Sequence, residues 1–123
     1  LNMGLVTGVN QTWTASAGDL VFAGATLSLG TRTLTLTGAR DITVSGVISG
    51  TGSAALVKNG AGTLTLTGAN TYAGTTVVNA GTLAISHADA LGTSAAGTTV
   101  STGAILDLVG GITVASEALT LAG

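Results

Sequence analysis

The chain has 123 residues, a net charge of −2 and only three basic side chains, Arg32, Arg40 and Lys58. Nucleic-acid binding needs a basic footprint, so this composition excludes a nucleic-acid partner. The absence of Cys removes disulfides, zinc–thiolate sites and thiol catalysis together.

The apolar fraction is 46%, yet aromatic residues make up 2%. Ala, Val, Leu and Ile therefore have to form the core, which suits a thin core between closely spaced sheets. Abundant Thr suits strands with one solvated face. No apolar run approaches the roughly 18 residues of a membrane helix, so no stable membrane insertion of this segment is expected. Residues 1–10 show no basic start and no signal-peptide pattern, so if the protein is secreted its export signal is expected to have been removed or to lie outside this chain.

Residues 1–18 are the least regular part, an irregular start or partial cap. Leu5-Val6-Thr7 and Thr12-Trp13-Thr14 each read as a short strand, and Trp13 reads as a bulky cover for one end of the core. From Asp19 the pattern becomes periodic, with strands at Leu20-Val21-Phe22, Thr26-Leu27-Ser28-Leu29 and Thr33-Leu34-Thr35-Leu36-Thr37. Ile42-Thr43-Val44 and Val47-Ile48 follow. Residues 58–86 then hold the clearest unit. An alternating run, Thr63-Leu64-Thr65-Leu66-Thr67, leads through a turn cluster to Thr75-Thr76-Val77-Val78, and Asn79-Ala80-Gly81 leads to Thr82-Leu83-Ala84-Ile85-Ser86. Residues 87–97 form a loop excursion. Strand pattern resumes at Thr98-Thr99-Val100, Ala104 to Leu108, Ile112-Thr113-Val114 and Ala118 to Leu121.

Short strands with Gly-rich corners leave a sandwich or a β-helix. Asn59-Gly60 is the only Asn-Gly hairpin signal, whereas the chain repeats itself internally, which favours the solenoid. The string Leu-Thr-Leu-Thr-Gly-Ala occurs at 34–39 and again at 64–69. Read as copies one turn apart, the two require a small loop-out at 50–53. The expected fold is all-β, a parallel β-helix of about five turns. Leu34, Leu36, Leu64, Leu66, Leu83 and Ile85 stack inside, and the flanking Thr residues form ladders outside. A transmembrane barrel also alternates, but aromatic girdles are missing.

The pattern Leu56, Lys58, Gly60, Gly62-Thr63-Leu64, Leu66, Gly68, Asn70-Thr71-Tyr72, Gly74, Thr76, Val78 and Gly81-Thr82-Leu83 resembles the autotransporter-associated β-strand repeat, also called the passenger-associated transport repeat. Asp89-Ala90-Leu91-Gly92, residues 103–108 and residues 116–121 look like flanks of the same family. The resemblance implies a right-handed parallel β-helix from the exported passenger of a bacterial autotransporter-like surface protein. It carries no catalytic residue to transfer.

No catalytic, cofactor-binding or metal-binding residue is assigned, and no cofactor is expected. His87 beside Asp89 could orient a nucleophile, but no Ser or Thr sits in a nucleophile elbow, so a solvated corner His is the simpler reading. Asp19, Asp41, Asp89, Asp107 and Glu117 are scattered singly, and Gly60-Ala61-Gly62 lacks the end of a phosphate loop. Arg40, Asp41 and Lys58 read as solvated corner charges. Tyr72 is placed over a corner, where it packs against the coil edge or stacks on a glycan. Thr33-Thr35-Thr37 and Thr63-Thr65-Thr67 supply the only Thr-x-Thr rungs for an ice-binding face. The functional expectation is thus a non-enzymatic stalk or spacer of the bacterial cell surface. An adhesin that contacts glycan or host protein is the alternative. No Pro or amphipathic helix guards the strand edges at the C-terminal end, so head-to-tail stacking into a filament stands beside a segment cut from a longer passenger.

Overall fold

The computed structural model describes residues 11–14, 18–22, 26–52, 54–92, 97–110 and 119–121. Its strands are β1 (Gln11–Thr14), β2 (Leu20–Phe22), β3 (Leu27–Ser28), β4 (Thr33–Thr37), β5 (Ile42–Val44), β6 (Ile48–Ser49) and β7 (Ala55–Lys58). They continue with β8 (Thr63–Leu66), β9 (Thr76–Val78), β10 (Thr82–Ile85), β11 (Thr98–Val100), β12 (Ile105–Leu108) and β13 (Leu119–Leu121). The strands expected at 5–7 and 112–114 lie outside the described residues.

Among the described residues all pairings are parallel, and none joins strands adjacent in sequence. One sheet runs β1-β4-β7-β9-β11-β13, a second β12-β10-β8-β5-β2, and β3-β6 form a third, short side. The chain visits the three sides in turn and then returns to the first, as in a parallel solenoid of about four turns. Where the third side is not formally strand, it stays bonded turn to turn: the Thr71 amide donates to the Ile48 carbonyl and the Asn70 amide to the Asp89 carbonyl.

Alternation creates this shape because every second side chain of a strand points to the same face. In β4 and β8 each Leu is buried and each Thr half-buried. Leu34, Leu36, Leu56, Leu64, Leu66, Leu83 and Ile85 have no exposure at all, so the expected inner positions hold. Fully burying each such side chain contributes about 1.5–3 kcal/mol relative to leaving it exposed. The core is narrow enough for Ala, Val, Leu and Ile to span it, with Phe22 and Tyr72 as its aromatic members among the described residues.

The structure corrects the pairing of the two Leu-Thr-Leu-Thr strings. Strand β4 belongs to the first sheet and pairs with β7, whereas β8 belongs to the second and pairs with β5 and β10. The strings sit on different sides of the coil and are not copies one turn apart. The corner at 50–52 is the counterpart of that at 30–32, docked on it by the Thr51 amide donating to Gly30 O at 2.8 Å. The expected Thr ladders change accordingly. The central outer column of the first sheet reads Thr12, Thr35, Val57, Val77, Thr99 and Thr120. That of the second reads Val21, Thr43, Thr65, Ala84 and Asp107. Thr33-Thr35-Thr37 and Thr63-Thr65-Thr67 share no face, and no Thr-only array for ice is built.

Candidate functional site

The polar residues that the resemblance singled out gather at the corners of one turn, and each is tied to a neighbouring turn. Asn70 is buried between strands β8 and β9. Its Oδ1 accepts from the Ile48 amide at 2.8 Å, and its Nδ2 donates to the Ala90 carbonyl at 2.7 Å. One side chain thereby joins three successive turns. Buried amides need such partners because an unmade bond costs the full desolvation of the group. Ala90 and Leu91, at the start of the expected excursion, return to the core beneath it.

Tyr72 does not lie over the corner. It is fully buried, and its hydroxyl pairs with the Thr76 hydroxyl, which also lies 3.5 Å from the Leu91 carbonyl. The ring fits because residue 92 is Gly: a Cβ there would stand 3.1 Å from the ring and 2.6 Å from the Tyr72 carbonyl oxygen. A buried ring cannot stack on a glycan, so that reading is withdrawn. The backbone of Trp13 lies opposite Leu36 in β1.

Lys58 also departs from expectation. Alternation along β7 points it inward, in register with Leu36 and Val78, and only 3% of it is exposed. Its aliphatic stem continues the apolar stack while its head reaches the corner. There Nζ donates to the carbonyls of Asn59 at 2.7 Å and Gly60 at 2.9 Å, with Ala80 O of the next turn at 3.5 Å. Burial pushes its pKa below the ordinary lysine value, and the Asp41 charge partly opposes that shift. The cause is desolvation, which penalises the charged form. Lys58 was misread because its position so close to a Gly-rich corner looked solvated. The signal that could have found it was parity, since it shares the inward phase of Leu56.

Thr98 is buried as well, and other polar residues lie outside and run along the coil. Asp19 Oδ1 accepts from the Asp41 amide at 3.1 Å, and Asp41 Oδ1 accepts from the Thr63 amide at 3.0 Å. Arg40 and Asp41 are exposed as expected, with the Arg40 guanidinium 3.6 Å from Asp19. Asn79 Nδ2 donates to Asn59 Oδ1 at 2.8 Å, and the Ser101 hydroxyl donates to Asn79 Oδ1 at 3.3 Å. His87 Nδ1 accepts from the Asp89 backbone amide at 3.0 Å, which directs that nitrogen to a turn and away from any nucleophile. Among the described residues no three His, Asp or Glu gather in a way that could hold a metal ion.

A stretch of solenoid longer than one turn, from β7 through β10, coincides with a known family pattern. Residues 56–85 match the passenger-associated transport repeat. No curated protein and no solved structure matches the chain. Strand β7 opens the repeat and β10 closes it, while Lys58, Asn70, Tyr72 and Thr76 are its buried polar groups. All four bond within the repeat or to the turns beside it. The repeat is a β-helical structural element, and it fits a secreted passenger segment. No helix among the described residues is long and apolar enough to cross a membrane.

Proposed function

We propose that this chain is a stiff stalk or spacer in an exported passenger, held at the outer-membrane surface of a bacterium. The observation that carries the reading is that the matched repeat is hydrogen-bonded solenoid whose buried polar groups are consumed within it and in holding neighbouring turns. A ligand-binding face would leave such groups directed at solvent. We further propose that the coil is right-handed, by the chirality of parallel strand connections. The proposed count of five turns takes the steps between the six strands of the first sheet, and residues 1–123 are proposed to form one unit.

The solenoid is compatible with end-to-end stacking, because another turn on either end would extend the same ladders. Such a head-to-tail contact does not close on itself and grows a filament. Sparse charge offers little repulsion against it. Small-angle scattering, glycan arrays and host-cell adhesion assays test the spacer reading: a rod without saturable binding supports it, and saturable glycan or host-protein binding overturns it. Electron microscopy tests stacking through unbranched fibres with an axial rise of about 4.8 Å per turn. A monomer that persists in sedimentation at high concentration rules stacking out.

A further inference from the structure

A coil built from alternating apolar and β-branched residues has a weakness. Sliding one strand by two residues along its neighbour keeps every side chain on its proper face. The outer columns hardly resist such a slip, since they exchange Thr, Val and Ala. Inside, Leu34, Leu36, Leu56, Val78 and Val100 can also replace one another at modest cost, while Thr76 and Thr98 are buried polar members of the same columns. Groups less interchangeable than the aliphatic ones have to distinguish the native register.

We propose that the Lys58 ammonium, seated between the corner carbonyls of its own turn and Gly81 of the next, sets the register of these strands. Lys58 is the charged residue among the buried side chains of the first sheet. Its head has two carbonyls in its own turn and faces the next turn at Ala80 O. Residue 81 lacks a side chain there: a Cβ at Gly81 would stand 2.9 Å from Nζ, and 2.4 and 2.5 Å from the carbonyl oxygens of Gly62 and Gly60. The φ of +70° at Gly81 adds a second reason for glycine at that place. A two-residue slip of the next turn brings Asn79 or Leu83 over the ammonium in place of Gly81 and takes Ala80 O away. The charge is then buried against a side chain with one partner fewer, which is costly. The charged groups nearest this corner are Asp41, whose field reaches Lys58, and Arg40, whose guanidinium lies out toward Asp19.

Paired cysteines read the register directly, because the chain has none of its own. Val57 and Val77 lie opposite each other on the outer face. Neighbouring strands are about 4.8 Å apart, so a Val57→Cys/Val77→Cys pair is within disulfide reach. A Val57→Cys/Thr75→Cys pair is about 8 Å apart in the native register and in reach only after the slip. With Lys58 present, oxidation during refolding should favour the 57/77 pair over the 57/75 pair by about tenfold or more, the bias of one charge-assisted hydrogen bond. In Lys58→Met, which keeps the stem and removes the charge, the two yields should converge. Retained tenfold preference in Lys58→Met would show that the corner glycines or the buried Asn70 and Thr76 bonds set the register without the charge and would overturn the proposal. A Lys58→Met chain without a β-sheet spectrum also counts against it, since sheet formation does not need a register pin. Lys58→Leu separates that result from a poor fit of Met: it should form sheet and cross-link at both pairs, and failure to do so overturns the proposal as well.

Discussion

Replacing Asn70 by Ala tests the central claim that side-chain amides hold the turns together. The substitution removes the acceptor of the Ile48 amide and the donor to the Ala90 carbonyl, at 2.8 and 2.7 Å. Both are buried bonds, and each backbone group left without a partner costs about 1–3 kcal/mol. The expected loss is therefore about 2–6 kcal/mol, a large share of the 5–15 kcal/mol typical of a folded domain. Asn79→Ala is the control, because Asn79 makes a similar side-chain bond to Asn59 in an exposed ladder. It should stay within about 0.5 kcal/mol of wild type. Urea unfolding followed by far-UV circular dichroism measures both. Solenoid turns interact mainly with their neighbours, so hydrogen exchange at the Ile48 amide should rise in Asn70→Ala before the whole coil melts. Equal stability of the two variants, or unchanged exchange at Ile48, would refute the reasoning.

Leu66→Asp places an unpaired charge in a fully buried site and should prevent folding, whereas Thr65→Ser on the same strand should cost under about 1 kcal/mol; comparable circular dichroism melts would show that the inward phase is wrong. Tyr72→Phe leaves the buried Thr76 hydroxyl without that partner and should cost about 1–2 kcal/mol in urea unfolding, with no loss of sheet signal. For Lys58 the sign follows from its lowered pKa. Between that folded value and the ordinary lysine value of 10.5 the unfolded chain binds more protons, so wild-type stability should rise with pH there. Subtracting the pH profile of Lys58→Met isolates this contribution, and a difference that is flat or falls with pH would contradict the buried ammonium.

Strand positions and their inward faces were legible in the sequence because alternation has a period of two, and Leu or Ile on one phase with Thr on the other leaves little choice of face. The same runs determined that the fold is all-β and repetitive, and the spacing of the Gly, Asn and Tyr positions in 56–85 carried the family resemblance. Which strand pairs with which was a different matter. Leu34 to Leu36 and Leu64 to Leu66 are locally identical in pattern, and only the closing of the coil put one in the first sheet and the other in the second. Lys58 and Tyr72 show the same division. Each lies beside a Gly-rich corner, and a corner reads as solvated when seen along the chain. Turn-on-turn stacking about 4.8 Å apart covers these corners with the next turn's backbone, at Gly81 over the ammonium and Gly92 over the ring. Burial at a corner is thus decided by residues about one turn away in sequence, which local pattern does not encode.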